Sequence, residues 1–217
     1  MEKVIIFDLD GTLLNTLDDL TDSTNFALNK FNCPTKTKEQ VRTYIGNGVE
    51  KLIMRALPNG IDTLNFDEVL ETFKTHYSEN MHNKTSPFDG IIEILHQLKE
   101  KKYKLAVSSN KFDKAVKELS KKYFDNLIDF AIGEDEKNGI RKKPHSDEII
   151  EIFKYFNTNN AIYIGDSEVD IMTAKNANLK CISVIWGYKD EEFLLKNGAK
   201  IIAKTPQELF EKILQNI

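Results

Sequence analysis

Cysteine and histidine are scarce in this chain, and neither is spaced as a metal or redox motif. Its 217 residues include only two cysteines, Cys33 and Cys181, which lie far apart and outside any Cys-x-x-Cys pair. The four histidines show no spacing of the His-x-x-x-His kind, so nothing indicates a histidine metal site. Cysteines used this sparingly favour a reduced intracellular compartment.

The chain also lacks an excess of positive charge and a long apolar segment. Thirty Lys and Arg residues stand against 34 Asp and Glu, for a net charge of −4, so there is no basic footprint for nucleic acid. No apolar run approaches the ~18 residues that a membrane span needs, and no charged-then-apolar leader precedes the first apolar run. We therefore expect a cytoplasmic protein with neither a nucleic-acid nor a membrane partner.

The segment that opens with Val4 carries the strongest signal. Four apolar residues, Val4 to Phe7, predict a buried strand, in a chain whose 41% apolar content is enough for a core. Asp8 and Asp10 follow at alternate positions, so they should point the same way just beyond the strand. Ligands bind at that edge of open α/β sheets, and Gly11 lets the chain turn there. Asp-x-Asp-Gly is also an ordinary turn sequence, and this alternative stays open at this point.

Two neighbouring carboxylates repel each other, so a positive group should accompany Asp8 and Asp10. Oxygen ligands suit a hard divalent cation. Mg²⁺ is therefore the expected cofactor.

Later apolar runs alternate with helical patterns. The predicted strands are Lys104–Ser108, Asp129–Ile132, Ala161–Ile164, Cys181–Trp186 and Lys200–Ala203. Strands that alternate with helices predict βαβ units and a parallel sheet, which places the chain in the α/β class.

The stretch from Leu17 to His82 differs because it contains no convincing strand. Its apolar residues recur at helical spacing, and a Pro- and Gly-containing segment from Thr85 to Gly90 is typical of a hinge. We therefore expect a core formed by residues 1–16 and 83–217, with a helical cap, residues 17–82, inserted after the first strand.

Polar residues that could carry chemistry follow several of the predicted strands. They are Asp8, the run Ser108-Ser109-Asn110-Lys111, the run Gly165-Asp166-Ser167-Glu168-Val169-Asp170, and the loop Arg141-Lys142-Lys143-Pro144. Each has an ordinary alternative, namely a helix N-cap, a βα loop or a solvated lysine cluster. In a parallel sheet, however, the strand ends open on one edge, so these groups should converge.

Such a cluster suits a phosphoryl group. A carboxylate can take up phosphate covalently, Mg²⁺ bridges carboxylate and phosphate oxygens, and a lysine with polar donors can hold the remaining oxygens. The residues alone do not decide whether Asp8 or Asp10 attacks.

Four segments, in order along the chain, resemble the motifs of the haloacid-dehalogenase superfamily of phosphohydrolases. They are Asp8-Leu9-Asp10-Gly11-Thr12, Ser109-Asn110, Lys143-Pro144, and Gly165-Asp166-Ser167-Glu168-Val169-Asp170. The first and fourth are specific, whereas the second and third are weak alone. The resemblance implies a Rossmann-like core with a helical cap inserted after the first strand.

The resemblance also implies roles for these residues. Asp8 would attack phosphorus and become an aspartyl-phosphate, and Asp10 would protonate the leaving group and then activate water. Mg²⁺ would be bound by Asp8, the backbone carbonyl of Asp10, and Asp166, with Asp170 supporting its water shell. The phosphate would be held by Ser109, Asn110 and Lys143.

Within the superfamily the chain is most similar to phosphoglycolate phosphatases, through Ser109-Asn110-Lys111, Val184–Tyr188 and the cap segment Arg42–Gly48. Asp89 and the Asn176-Ala177-Asn178 run depart from the usual pattern, outside the four motifs. The implied substrate is a small phosphorylated metabolite, with 2-phosphoglycolate preferred and Arg42 as a candidate for steering it. The alternative for Arg42, a solvated charge on the cap surface, stays open. The sequence carries no signal for an oligomeric state.

Three alternatives remain. A sugar-phosphate mutase of the same superfamily would use the same aspartyl-phosphate but return phosphate to a sugar, with water excluded by the cap. A phospho-accepting signalling module also uses Asp, Mg²⁺, Ser or Thr, and Lys, but it is much shorter and lacks an inserted helical module. A non-catalytic relative is disfavoured, because every expected catalytic acid is present.

Overall fold

A six-stranded parallel sheet organises the fold. The computed structural model describes residues 2–63 and 65–217. The described strands are β1 (Val4–Phe7), β2 (Leu14–Asn15), β3 (Ser86–Pro87), β4 (Lys104–Phe112), β5 (Phe130–Glu134), β6 (Ala161–Gly165), β7 (Lys180–Val184) and β8 (Ile201–Ala203). The described α-helices are α1 (Leu17–Lys30), α2 (Lys38–Tyr44), α3 (Val49–Ala56), α4 (Phe66–Asn80), α5 (Ile91–Glu100), α6 (Asp113–Phe124), α7 (Asp147–Phe156), α8 (Glu168–Asn176), α9 (Glu191–Lys196) and α10 (Pro206–Asn216).

The strand order of the sheet is β5-β4-β1-β6-β7-β8, and each neighbouring pair is parallel. The chain builds outward from β1 on one side through β4 and β5, and then returns to the other side of β1 to begin β6. The order of the strands therefore reverses beside β1, and ligands bind at such a reversal in open α/β sheets. The predicted α/β, Rossmann-like core is confirmed.

The central strand is apolar on both faces because helices cover both faces of the sheet. Val4, Ile5, Ile6 and Phe7 are all fully buried. Val4 and Ile6, two residues apart, join one hydrophobic cluster together with Ile149 and Ile152 of α7 and residues of neighbouring strands. Period-two alternation thus places Val4 and Ile6 on the α7 side of β1.

The predicted strands lie where expected, with shifted ends. The largest difference is β4, which the apolar pattern ended at Ser108 but which continues to Phe112. Its extension still pairs with β5, where Ser109 lies opposite Gly133 and Phe112 opposite Glu134 across an irregular register. Conversely, β7 ends at Val184, short of the predicted Trp186. Polar residues extend β4 because backbone pairing, and not hydrophobicity, continues there.

The chain divides into two compact units. One runs up to Leu14 and resumes at Pro87, and the other comprises Asn15–Ser86. The boundaries lie a few residues outside the expected 17–82 segment, within the short strands β2 and β3, which pair with each other. The described helices within the second unit are α1 to α4 and one 3-10 turn, Gly60–Asp62.

The helical unit has a core of its own. Phe73 and Tyr77 of α4 are fully buried, as are Ala27 and Leu28 of α1. At the start of α2, Thr37 and Gln40 form a reciprocal capping box that satisfies two free N–H groups of the helix end. Among the described residues, no helix is both long enough and apolar enough to cross a membrane.

Asp19, in the first turn of α1, fixes the point where the chain leaves the helical unit. Its carboxylate accepts hydrogen bonds from the backbone N–H of Lys84 (3.0 Å), the backbone N–H of Thr85 (2.9 Å) and the Thr85 hydroxyl (2.8 Å). Asp19 is 2% exposed. Buried donors to a charged acceptor are costly to leave unpaired, so this carboxylate holds the first turn of α1 against Lys84 and Thr85.

We expect Asp19→Asn to lower the free energy of unfolding by about 2–3 kcal/mol, because an amide can accept fewer of these three bonds. Asp22→Asn is the matched control. Asp22 lies on the same helix and forms an ion pair with Lys84 at 2.7 Å, but its side chain is 51% exposed, so its loss should cost much less than the loss of Asp19. Denaturant unfolding of both variants checks the difference, and equal losses would contradict it.

Candidate active site

Asp8 occupies the position directly after the central strand β1, at its carboxyl end. Its backbone N–H donates to the Ile164 carbonyl at 2.8 Å, which continues the pairing of β1 with β6. Asp8, Asp166 and Asp170 are all buried, and each offers a carboxylate oxygen within 4.8 Å of the others. The strand ends thus bring together three acids that are up to 162 residues apart in sequence.

Lys143 supplies positive charge to this cluster. Its Nζ donates to Asp8 Oδ1 (2.7 Å), Asp170 Oδ1 (2.8 Å), Tyr163 Oη (3.1 Å) and the Ser108 carbonyl (3.2 Å). The Lys143 side chain is 3% exposed. The buried ammonium therefore has four oxygen acceptors, two of them carboxylates and two of them neutral.

The side chain of Asn110 holds the backbone of Lys143 in place. The Lys143 N–H donates to Asn110 Oδ1 at 2.6 Å, and Asn110 Nδ2 donates to the Lys143 carbonyl at 3.2 Å. This two-point contact ties the loop before α7 to the end of β4. Asn110 was predicted to hold phosphate, and its amide instead engages Lys143, so its phosphate contact stays a prediction.

The charges of the cluster do not balance. Burial raises the pKa of Asp8 to about 7, even though Lys143 opposes the shift. Burial, together with the charges of Asp8 and Asp170, raises the pKa of Asp166 well above its usual range. Burial disfavours the Lys143 ammonium, but the charges of Asp170 and Asp8 outweigh it and hold its pKa well above the usual value. Three buried acids with one lysine call for a further cation.

The donor set fits a hard divalent cation. Asp166 Oδ2 accepts from the Tyr188 backbone N–H at 2.6 Å, which orients the carboxylate and leaves Oδ1 for another partner. Asp170 Oδ1 faces Lys143 and Tyr163, and Asp170 Oδ2 accepts from the backbone N–H and hydroxyl of Ser167. Asp8 and Asp166 are therefore the carboxylates that could hold Mg²⁺, which prefers oxygen ligands, with Asp170 as their support.

Two glycines make room for Asp166. A Cβ at Gly187 would lie 2.3 Å from Asp166 Oδ2 and 2.4 Å from the Gly11 carbonyl, and a Cβ at Gly11 would lie 2.4 Å from Asp166 Oδ2. Gly11 also has φ +89°, which favours glycine. Gly11 is thus required both by its positive φ and by its closeness to Asp166. Gly187 is required only because Asp166 and Gly11 pack against it.

Asp10 stands at the edge of the cluster and has a lysine partner that we did not assign to the site. Its carboxylate lies 3.1 Å from Lys111 Nζ, with side chains 14% and 2% exposed, respectively. Ser109 is also buried, and its hydroxyl lies 3.4 Å from the Lys111 backbone N–H, which donates to it. Lys111 was named in the polar run from Ser108 to Lys111 but received no role, and its position directly after Ser109-Asn110 was the signal that could have assigned one.

Of the predicted site residues, Asp8, Lys143, Asp166 and Asp170 lie in one cluster. Asp10 lies three residues beyond β1, and Ser109 and Asn110 lie in the last half of β4, beside this cluster. Tyr163 and Glu148 were missed because they fall inside apolar strand or helix patterns, whereas Ser108 was named in the polar run after the predicted strand but was given no role. Tyr163, Ser108 and Glu148 are all buried. Tyr163 and Ser108 contact Lys143, and Glu148 contacts Ser108.

Comparison with known proteins agrees with this geometry. Residues 5–184 match the family model described as haloacid dehalogenase-like hydrolase. A phosphoglycolate phosphatase of Haemophilus influenzae (strain 86-028NP) is 36% identical over 196 residues, covering 86% of this chain and 87% of that protein. That of Aquifex aeolicus is 33% identical over 193 residues, with 86% of each chain covered.

The crystal structure of a candidate phosphoglycolate phosphatase from Lactobacillus delbrueckii subsp. bulgaricus superposes with a TM-score of 0.92 at 36% identity, and the match covers 98% of this chain and 99% of that one. The chain belongs to the haloacid dehalogenase-like hydrolase family. Within it the chain is a phosphatase, that is, a phosphoric monoester hydrolase.

We expect Gly187→Ala to reduce kcat/KM roughly 100-fold, because a Cβ there must displace Asp166 and misplacements of about 1 Å have this effect. Gly198→Ala is the control. A Cβ at Gly198 would meet nothing within 4 Å, but its φ of +96° should cost about 1–3 kcal/mol of stability. Phosphatase assays and thermal unfolding separate the two effects. Wild-type activity in Gly187→Ala would contradict the packing argument.

Proposed function

We propose that this chain hydrolyses 2-phosphoglycolate, with Mg²⁺ as cofactor and an aspartyl-phosphate on Asp8 as the intermediate. The contact of Asp8 with Lys143 inside the buried acidic cluster carries the chemical part of this proposal. The names of the two curated relatives support the choice of substrate.

In the first step, an Asp8 carboxylate oxygen attacks phosphorus, and the bond between phosphorus and the ester oxygen breaks. Asp8 Oδ1 accepts from Lys143, so the attack is assigned to the other carboxylate oxygen, Oδ2. Asp10 donates a proton to the leaving alkoxide. The product is an acyl phosphate on Asp8 and a free alcohol.

In the second step, the Asp10 carboxylate takes a proton from water as that water attacks phosphorus. The bond between phosphorus and Asp8 breaks, which releases inorganic phosphate and restores the carboxylate. Asp10 then holds the proton with which the cycle began. Lys111, 3.1 Å from the Asp10 carboxylate, keeps that group oriented through both proton transfers.

Positive charge and donors around the transferring group stabilise the charge that moves through it. Lys143 supplies an ammonium beside the attacking atom, Asn110 holds the Lys143 backbone, and Ser109 offers a hydroxyl for a phosphate oxygen. Bound by Asp8, Asp166 and the backbone carbonyl of Asp10, Mg²⁺ would supply the additional positive charge that the buried acids require.

The central test uses p-nitrophenyl phosphate, whose leaving group needs no proton. Asp8→Asn should show no turnover, because a carboxamide cannot attack phosphorus. Asp10→Asn should release a burst of one nitrophenolate per active site and then stall, because the acyl phosphate lacks its base. Rapid-mixing absorbance measures both. Glu192→Gln, at an exposed acid, should behave as wild type, and full turnover by Asp8→Asn would overturn the proposal.

Mg²⁺ binding should be measurable without any substrate. After EDTA treatment and dialysis, adding Mg²⁺ at about 100 times its dissociation constant should stabilise the folded state by about 2.7 kcal/mol, a rise of roughly 5–10 °C in Tm for a chain of this size. Asp166→Asn should lose most of this rise, whereas Glu192→Gln should keep it. Wild-type phosphatase activity after EDTA treatment, or a Tm that does not change when Mg²⁺ is added, would contradict the cofactor assignment.

Substrate choice is assigned to the helical unit. Arg42 lies exposed in the last turn of α2. The segment that follows it is fixed by Arg55, whose guanidinium donates to the Tyr44 carbonyl at 2.8 Å and to Asn47 Oδ1 at 2.7 Å. Arg42 is the residue of this unit whose positive charge we assign to attracting the carboxylate of phosphoglycolate.

We expect Arg42→Ala to lower kcat/KM for 2-phosphoglycolate roughly 10-fold, the effect of one modest charge interaction, and to leave p-nitrophenyl phosphate unaffected. Lys30→Ala is the control, since Lys30 is also exposed and lies in the last turn of α1. Equal losses on both substrates, or none, would remove Arg42 from substrate selection.

A further inference from the structure

Ser108 and Glu148 form a buried polar pair that none of the motifs includes. Both residues are fully buried, and the Ser108 hydroxyl donates to Glu148 Oε2 at 2.5 Å. Glu148 is the second residue of α7, directly before the core residue Ile149. Burying a carboxyl in such a cluster is costly unless it is well paired, so the pair calls for a function beyond packing.

The pairing of Glu148 is incomplete. Within the described part of the chain, its other oxygen, Oε1, is buried with no hydrogen-bond partner. An ionised carboxylate would leave that charged oxygen unsolvated, whereas a protonated carboxyl needs far less from its surroundings. The geometry alone therefore favours a neutral Glu148 that accepts one short hydrogen bond from the Ser108 hydroxyl.

Ser108 connects Glu148 to the Lys143 ammonium. The Ser108 carbonyl accepts from Lys143 Nζ at 3.2 Å and from Tyr163 Oη at 3.4 Å, and the Ser108 hydroxyl lies 3.5 Å from Tyr163 Oη. Ser108 and Tyr163 thus supply the two neutral oxygens that contact Lys143 Nζ. A Ser108 side chain fixed by Glu148 keeps its own carbonyl, and with it Lys143, in one position.

Charged groups face Glu148 from three other parts of the core. They are Lys143 from the loop before α7, Asp8 from the end of β1, and Asp170 from α8, with the Tyr163 phenol on β6 nearby. Burial raises the pKa of Glu148 to about 8, against the lowering effects of Lys143 and Ser108 and with the help of Asp8 and Asp170. Near neutral pH, Glu148 therefore does not compete with Asp8 and Asp170 for the single ammonium.

We propose that Glu148 is a positioning residue for phosphate-ester hydrolysis, which acts through Ser108 to keep the Lys143 ammonium directed at Asp8. This inference rests on the proposed roles of Asp8 and Lys143. It adds a neutral carboxyl as a structural requirement of the site, and it gives hydrolysis a sensitivity to alkaline pH that comes from α7.

The first test compares Glu148→Gln with the wild type from pH 6 to pH 9.5, with p-nitrophenyl phosphate and saturating Mg²⁺. The amide keeps the shape and an acceptor for Ser108 but cannot ionise. The ratio of kcat/KM, variant to wild type, should stay near one at pH 7 and rise roughly 2- to 10-fold at pH 9. This is the effect of about one hydrogen bond, which the wild type loses when Glu148 ionises and Lys143 shifts. Ionisations common to both proteins cancel in this ratio, so a ratio that is constant with pH overturns the proposal.

The second test removes the connecting hydroxyl and does not depend on whether Glu148→Gln folds. Ser108→Ala should lower kcat/KM at pH 7 roughly 2- to 10-fold per folded molecule, the equivalent of one lost hydrogen bond. Ser120→Ala is the matched control, because Ser120 is buried in α6 with an unpartnered hydroxyl among the described residues, and its activity should not change. Unchanged activity in Ser108→Ala also overturns the proposal.

These outcomes are separable from those of the proposed function. If Asp8→Asn is inactive while the Glu148→Gln ratio is constant with pH, the positioning role fails and the aspartyl-phosphate route stands. If Asp8→Asn turns over like the wild type, the route itself fails, whatever Glu148 does.

Discussion

The contact of the Lys143 ammonium with Asp8 and Asp170 is the interaction on which the site depends. It joins a loop, the end of β1 and the first turn of α8 at distances of 2.7 and 2.8 Å, with all three side chains buried. Removing one partner of such a buried pair typically costs about 3–5 kcal/mol, because the other charge is left without compensation. Each neighbouring element is therefore arranged so that this ammonium keeps its place.

That arrangement explains several features that would otherwise be unrelated. Asn110 grips the Lys143 backbone at two points, so the lysine does not rely on its side chain alone. Asp170 satisfies Lys143 with one oxygen and caps α8 through Ser167 with the other. Gly165 lets that helix approach, since a Cβ there would lie 2.2 Å from Asp170 Cγ. The helix start, the last residue of β6 and the lysine thus form one connected unit.

Much of the fold followed from the sequence because parallel sheets have strong local rules. The run from Val4 to Phe7 is the strand that its apolar residues predicted, and the strand ends converge as the parallel arrangement requires. The end of β4 did not follow, because from Ser109 to Phe112 the strand is held by pairing with β5 across an irregular register. Hydrophobic periodicity carries no information about such pairing.

The candidate site divides in the same way. Acids directly after strands could be recognised from their positions, whereas Tyr163 and Glu148 sit inside apolar patterns that normally mean core. Arg55 was missed for a similar reason, since a helix surface position does not reveal that its guanidinium donates to the Tyr44 carbonyl at the end of α2 and to Asn47 in the loop after it. Residues that act on other protein groups, and not on a ligand, leave no spacing signal of their own.

The free-energy cost of this site comes mainly from burying acidic groups. Burial raises the pKa values of Asp8, Asp166 and Glu148. Each carboxylate loses its hydration in the folded protein, and its protein contacts replace only part of that hydration. A group whose carboxyl pKa is higher in the folded than in the unfolded state contributes stability at low pH and loses it as the pH rises towards the folded pKa. The protein without a bound cation should therefore lose stability between about pH 4 and pH 8 as Asp8 and Glu148 ionise, and a bound divalent cation would offset that loss. The excess of buried negative charge that destabilises the folded protein is therefore also the physical reason why the proposed Mg²⁺ would stabilise it.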